Sequence, residues 1–285
     1  MNPQPTNQPQ FSFELFPPKT DAGMEKLQAS VHKLAALQPV YFSVTYGAGG
    51  STQERTFDTV DWLRSEGIET APHLSAIGAS REHILGILER YREQGIRRIV
   101  ALRGDMPSGM GEAGEFAHAN DLVTYIREQT GDHFHIEVAA YPEFHPQATD
   151  AWTDLKHFTV KVQAGASGAI TQYFYNADAY FHFIDDCHKL GVDIPVMPGI
   201  MPINNYTQLA RFSDACGSEI PRWIRRRMQA YADDVESIRA FGIEVVSELC
   251  QRLLDGGAPG LHFYTMNQAG PTMQICQNLG IDGTT

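Results

Sequence analysis

The chain has 285 residues, 42% hydrophobic and 20% charged, with a formal net charge of −12. That acidity argues against a broad nucleic-acid or anionic-membrane surface, which needs clustered Lys and Arg, while a small anionic ligand needs only a few local cations or helix N-termini. No apolar run approaches the roughly 20 residues that span a bilayer, and the opening MNPQPTNQPQ has neither the basic nor the apolar region of a secretory signal.

Short β-rich runs alternate with amphipathic patterns along the chain. FSFELF (11–16) is the first expected strand, with Phe11, Phe13 and Leu15 on one side and Ser12 and Glu14 on the other. Met24, Leu27, Val31 and Leu34 then recur at spacings of three and four, which is one helix face. Further strands are expected at 40–46, 69–75, 97–104, 135–142, 168–175, 194–200 and 260–266. Helices are expected at about 53–65, 80–94, 118–129, 152–164, 177–189 and 270–278, with more than one between 205 and 255. Ser80 reads as an N-cap, and Gly95 and Gly191 as helix stops.

Eight strand–helix units favour a single (β/α)8 TIM barrel with extra helices before the last strand. A doubly wound open sheet is the rival, but it usually has fewer strands and a glycine fingerprint after the first. Here the first strand runs into Phe-Pro-Pro. Residues 1–10 read as a disordered tail, 11–280 as one catalytic domain and 281–285 as a C-terminal tail. Cys187, Cys216, Cys250 and Cys276 are widely spaced without a CxxC, as expected of reduced thiols in a cytoplasmic protein.

In a barrel the chemistry gathers at the C-terminal ends of the strands. Those positions hold Glu14; Thr45, Tyr46 and the run Gly47-Ala48-Gly49-Gly50; His73; Arg103, Gly104 and Asp105; Tyr141, Glu143 and His145; Gln172; and Tyr264 and Asn267. A lone Glu14 suits either a buried partner of a basic residue or a general acid among Phe13, Leu15 and Phe16. His73 suits either a satisfied core histidine or a site group. The GxGxxG of Gly109, Gly111 and Gly114 begins too far past the fourth strand for a dinucleotide fingerprint, and reads as a loop. His133 and His135 form an HxH at the wrong end of the barrel, so no metal is expected. No lysine falls inside a strand to form a Schiff base.

Eight blocks carry a specific likeness: FSFELFPPKT (11–20), SVTYGAGG (43–50), APHL (71–74), RIVALRGD (98–105), VAAYPEFHP (138–146), AITQYFY (169–175), PGIMPI (198–203) and LHFYTMN (261–267). In this order, across residues 11 to 280, they resemble the bacterial methylenetetrahydrofolate reductases. The resemblance implies a (β/α)8 barrel with non-covalent FAD that takes hydride from NADH or NADPH. It implies ping-pong reduction of 5,10-methylenetetrahydrofolate to 5-methyltetrahydrofolate for methionine synthesis, by a homo-oligomer, tetramer or dimer.

By resemblance Glu14 is the general acid that opens the folate ring, and Asp105 stabilises the resulting cation. Gln172, Gln208, Phe212 and the position of Gln268 meet the folate. Thr45, Tyr46, Ala48, His73, Arg103, Gly104, Asp105, Tyr141, His145, Asp154 and Lys161 correspond to FAD contacts, as do Ala119 and Ala148 in less distinctive stretches. The chain departs from the family pattern in three places: Gln268 stands where an Arg would pair with a folate carboxylate, and His157 and Val160 replace Asn and Arg. A flavin-free barrel hydrolase and a non-catalytic folate- or flavin-binding module are the competing expectations.

Overall fold

The computed structural model describes residues 9–46, 50–104 and 114–283, and only the backbone of residues 50–52. Residues 1–8, Ala48, Asp105, Gly109 and Gly111 lie outside the described residues. In chain order the elements are β1 (Gln10–Leu15), α1 (Asp21–Ala35), β2 (Phe42–Val44), α2 (Gly50–Ser65), β3 (Thr70–Ser75), α3 (Arg81–Glu93), β4 (Arg98–Leu102), α4 (Ala119–Thr130), β5 (His135–Ala140) and α5 (Ala151–Gln163). There follow β6 (Gly168–Thr171), α6 (Ala177–Lys189), β7 (Val196–Met197), β8 (Gly199–Ile200), α7 (Tyr206–Cys216), α8 (Arg222–Ala230), α9 (Val235–Asp255), β9 (Gly260–Tyr264) and α10 (Ala269–Asn278).

All the pairings are parallel, in the order β7-β6-β5-β4-β3-β2-β1-β9-β8. The seventh strand was expected to be continuous over 194–200, but it is two short pieces. Pro198 separates them, since it has no N–H to give a ladder. β7 pairs with β6, and β8 pairs with β9, so the two pieces lie on opposite sides of one seam and bring the sheet round into a barrel. The Pro198 carbonyl still accepts from the His262 N–H at 3.0 Å.

Odd and even residues part company on each strand. Phe13 of β1 stacks against Phe42 and Phe263 of its two neighbours, at centroid distances of 5.5 and 5.8 Å, and joins Leu27, Val31 and Leu34 of α1 in one core cluster. Each fully buried Phe or Leu of this kind contributes about 1.5–3 kcal/mol. The helices are fixed at their starts by side-chain caps, among them Thr20 to the Gly23 N–H, Ser80 to the His83 N–H and Asp150 to the Thr153 N–H. Three helices, α7 to α9, form the expected insertion before the last strand.

The even positions of β1 turn the other way. Tyr41, just before β2, hydrogen-bonds Glu137 on β5, three strands distant in the sheet order. Such a contact has to cross the inside of the barrel. The C-terminal end is better anchored than a free tail. Ile281 packs on the core, its N–H donates to the Cys276 carbonyl at 2.8 Å, and Gln38 donates to the Gly283 carbonyl.

Candidate active site

Glu14 is the last but one residue of β1, and it is 6% exposed. Its surroundings differ from the sequence expectation. Phe13 and Leu15 face the opposite way, into the shell of helices. The carboxylate lies between two imidazoles, with Nε2 of His73 at 3.4 Å and Nε2 of His262 at 3.8 Å from the same oxygen. Among the described residues neither Nε2 has a hydrogen-bond partner, although both are buried. Such orphaned atoms are uncommon, and they mark a place where a small shift, a proton or a ligand completes the set. Burial holds the His73 imidazole below its ordinary pKa, against the opposing pull of Glu14. Thr265 donates to the Glu14 carbonyl at 2.6 Å and so fixes the backbone beneath the carboxyl.

His262 and Ser12 escaped the sequence reading as site residues, whereas Tyr264 stood among the polar strand-end positions without its place in this cluster. The signal was present: in LHFYTM, His262 and Tyr264 share one face by alternation, and parallel pairing sets them beside Ser12 and Glu14. The Tyr264 hydroxyl donates to the Thr171 carbonyl at 2.7 Å and so spans the barrel mouth to β6.

A second group surrounds the ends of β4 and β5. Arg103 donates to Gln147 at 2.8 Å, and the Gln147 N–H donates to Nδ1 of His145 at 3.0 Å. The His145 N–H donates to Asp154 at 2.9 Å, and its ring meets Tyr141 edge-on at 4.6 Å. The Ala148 N–H donates to the His145 carbonyl at 2.9 Å. Lys161 donates to the Ala139 carbonyl at the end of β5. Burial draws its ammonium down to about 8, against the opposing charge of Asp154. The structure therefore joins Arg103, Tyr141, His145, Ala148, Asp154 and Lys161 in one half-buried cluster.

Gly104 adjoins it with φ at +87°, and a Cβ there would fall 2.1 Å from the Ser75 hydroxyl, which itself donates to the Arg103 carbonyl. Thr45 and Tyr46 lie half-buried beyond β2, and desolvation pushes the Tyr46 phenol up to about 12. Ala119 is the first residue of α4.

These residues suit a dinucleotide. Two cations, Arg103 and Lys161, flank the strand ends, and among the described residues no carboxylate lies within salt-bridge distance of either. A desolvated ammonium held by a carbonyl, with the Phe158 ring centroid 5.5 Å away, gains from an anionic partner. The glycine at 104 lets backbone come close, and Tyr46 and Tyr141 offer flat faces.

On the other side of the mouth, Gln172, just past β6, turns its amide oxygen to the next N–H of the chain, that of Tyr173. Gln208 is exposed in the first turn of α7, with Phe212 one turn on under the Arg211 guanidinium. Gln268 is exposed at the N-cap of α10 without a side-chain cap bond. Asn267, one of the polar strand-end residues, is taken up structurally. Its amide clamps the Phe16 backbone, accepting from the N–H at 2.9 Å and donating to the carbonyl at 2.8 Å. Glu143 likewise accepts from the Glu219 N–H at 2.8 Å, and burial raises its pKa. Among the described residues no group of three or more His, Cys, Asp or Glu could hold a metal. Among the described residues no helix is long and apolar enough to cross a membrane.

The methylenetetrahydrofolate reductase family model matches residues 2–280. The chain belongs to the methylenetetrahydrofolate reductase family. It is 39% identical to the 5,10-methylenetetrahydrofolate reductase of Escherichia coli, covering 95% of this chain and 90% of that one, and 40% identical to that of Buchnera aphidicola, covering 95% and 92%. Methylenetetrahydrofolate reductase (NADH) 1 of Arabidopsis thaliana is 38% identical, and this chain spans 48% of its length. The fold is shared with an uncharacterised protein from Clostridium thermocellum at a TM-score of 0.67 and 15% identity, over 97% of this chain and 96% of that one. As members of an oxidoreductase family, such chains reduce methylenetetrahydrofolate, and the barrel seen here is the scaffold for that reduction.

Proposed function

We propose that this reductase uses non-covalent FAD and NADH, or NADPH, to convert 5,10-methylenetetrahydrofolate into 5-methyltetrahydrofolate. The observation that carries the proposal is Glu14, a buried carboxyl set between two unpartnered imidazole nitrogens at the mouth of the barrel. FAD, when bound, supplies a carrier that accepts a hydride and passes it on. Arg103 and Lys161 hold its phosphates, with Asp154, His145 and Ala148 shaping the loop around them. Thr45, Tyr46, His73, Gly104, Ala119 and Tyr141 line the rest, and the family resemblance adds Ala48, which lies outside the described residues.

Glu14 protonates a folate nitrogen, so that the five-membered ring opens to an iminium cation ready to receive hydride. Asp105 places a negative charge beside that cation. Gln172, Gln208 and Phe212 orient the folate, and Gln268 meets its carboxylate end without the charge an Arg would bring. One mouth serves both substrates, so donor and folate take turns in a ping-pong order. The name of the plant relative favours NADH as donor. The fold neighbour, described as binding two copies of 5-methyl-5,6,7,8-tetrahydrofolic acid, supports a folate-sized mouth. The product serves methionine synthesis in the cytoplasm, from a homo-oligomer, tetramer or dimer.

The test is a pair of anaerobic half-reactions on the holoenzyme. NADH bleaches the flavin absorbance, and methylenetetrahydrofolate restores it. Glu14→Gln leaves the bleaching within about twofold of the parent and slows the recovery by about 10²–10⁴-fold, the usual size of a general acid's contribution. Equal loss in both halves means that Glu14 is structural.

A further inference from the structure

Barrel interiors are normally filled with branched apolar side chains. Below Glu14 this one holds a polar column. The Ser12 hydroxyl lies 2.7 Å from Nδ1 of His262, whose Nε2 faces Glu14. Tyr41, whose phenol pKa burial pushes up and a nearby Ser12 hydroxyl pulls back, donates to Glu137 at 2.7 Å. Glu137 is paired with Arg98 and lies 3.6 Å from Nε2 of His135. Ser12, Tyr41, Glu137 and His262 are buried, but the side chains of His135 and Arg98, which open β5 and β4, are 36% and 26% exposed. The column therefore runs from the mouth to solvent at the opposite face of the barrel. Gly168 on β6 leaves it room, since a Cβ there would stand 3.3 Å from Nε2 of His135.

We propose that this column is a proton relay that reloads Glu14 from the far face while ligands cover the mouth. The inference rests on Glu14 acting as the acid. Each turnover takes one proton from Glu14 and leaves a carboxylate. The proton is restored by four linked transfers. An O–H bond forms on Glu14 as the Nε2–H of His262 breaks, and Nδ1 of His262 takes the Ser12 proton, so the imidazole ends as its Nδ1–H tautomer and turns over about Cβ–Cγ before the next transfer. Ser12 takes the Tyr41 proton, and Tyr41 takes one from transiently protonated Glu137. Water recharges Glu137 by way of His135. After the transfer Tyr41 donates to a Glu137 carboxylate, which is the orientation observed.

The charges along the path agree with this direction. Burial raises the Glu137 pKa, but His135, Arg98 and Tyr41 outweigh it and hold the carboxyl below its ordinary value. Glu137 thus passes its proton on rather than keeping it. The other titratable groups facing the column are His73 on β3 and Tyr264 on β9; β6, β7 and β8 bring none.

The experiment is stopped-flow reduction of methylenetetrahydrofolate by the holoenzyme, first as a single turnover and then in the steady state with excess NADH. Tyr41→Phe and Ser12→Ala each cut one link and leave Glu14 in place. A relay predicts a first turnover near the parent rate followed by steady-state turnover reduced at least about tenfold, with the parent's solvent isotope effect altered. The proposal is overturned if steady-state turnover is unchanged in both variants, or if the first turnover slows as much as the later ones, which marks the column as packing. Glu14→Gln separates the two ideas: if that variant still reduces folate, the acid assignment fails whatever the column does.

Discussion

At the scale of single residues, the site depends on groups taken out of water. Lys161 is the sharpest case, because its ammonium is drawn down to about 8 by burial. An anionic cofactor binds the charged form, so affinity is full below that value and falls as the pH rises through it. Flavin fluorescence titrations should show FAD binding weakening between pH 7 and 9.5, roughly one unit either side of the Lys161 value or somewhat higher once the phosphate is bound. Lys161→Gln should bind FAD more weakly at pH 7 and lose most of that slope; an unchanged slope would show that Lys161 does not meet the phosphates.

Individual residues also show what could be read before the fold was known. Glu14, His73 and Tyr141 declared themselves as polar groups at strand ends. The second histidine facing Glu14 did not. His262 becomes visible only when the register of β1 against β9 is known, because its partner is 250 residues away in the chain. Asn267 misled for the opposite reason: it stands at a strand end, but its amide is used up on the Phe16 backbone.

At the scale of elements, strand and helix starts were legible because period and caps are local signals, whereas the strands stop short of their expected ends, the sixth at Thr171 rather than 175. Helices α1 to α6 and α10 lie within a few residues of their expected spans. The break between β7 and β8 was hidden, since IPVMPGI reads as one apolar run and only the sheet shows that its halves pair with different neighbours. The turn after β4 gives the next prediction. Gly104 holds φ at +87° against Ser75, and a methyl there cannot fit without moving the Ser75 hydroxyl off the Arg103 carbonyl. Gly104→Ala should cost about 1–3 kcal/mol in denaturant melts, with a matching loss of FAD affinity. A variant as stable as the parent would mean that this turn is free to rearrange.

At the scale of the whole molecule, the polar axis makes stability depend on pH. His73 is held below its ordinary value of 6.5, so the unfolded chain binds its proton first, and stability falls as the pH drops through that value. Glu137, held below 4.5, contributes stability above that point that is lost as the pH falls further, through its folded value. Melting temperature should therefore decline in two stages on acidification, and Glu137→Gln should remove the lower stage while lowering stability at pH 7. A single smooth decline in the parent would argue that the two groups titrate together.

The ring is fastened unevenly. Along most of its circumference, strands of three to six residues share continuous ladders, but at Pro198 two dipeptides carry the closure. They are helped by the Gly199 N–H bonded to the Thr171 hydroxyl at 2.8 Å and by the Tyr264 phenol on the Thr171 carbonyl. Such a wall has a clasp, and a clasp sets where it parts. Amide protons of β7 and β8 should exchange sooner than those of β3 to β5. A chain newly opened between residues 197 and 199 and rejoined through its old ends would sacrifice fewer ladder bonds than a cut in any longer strand.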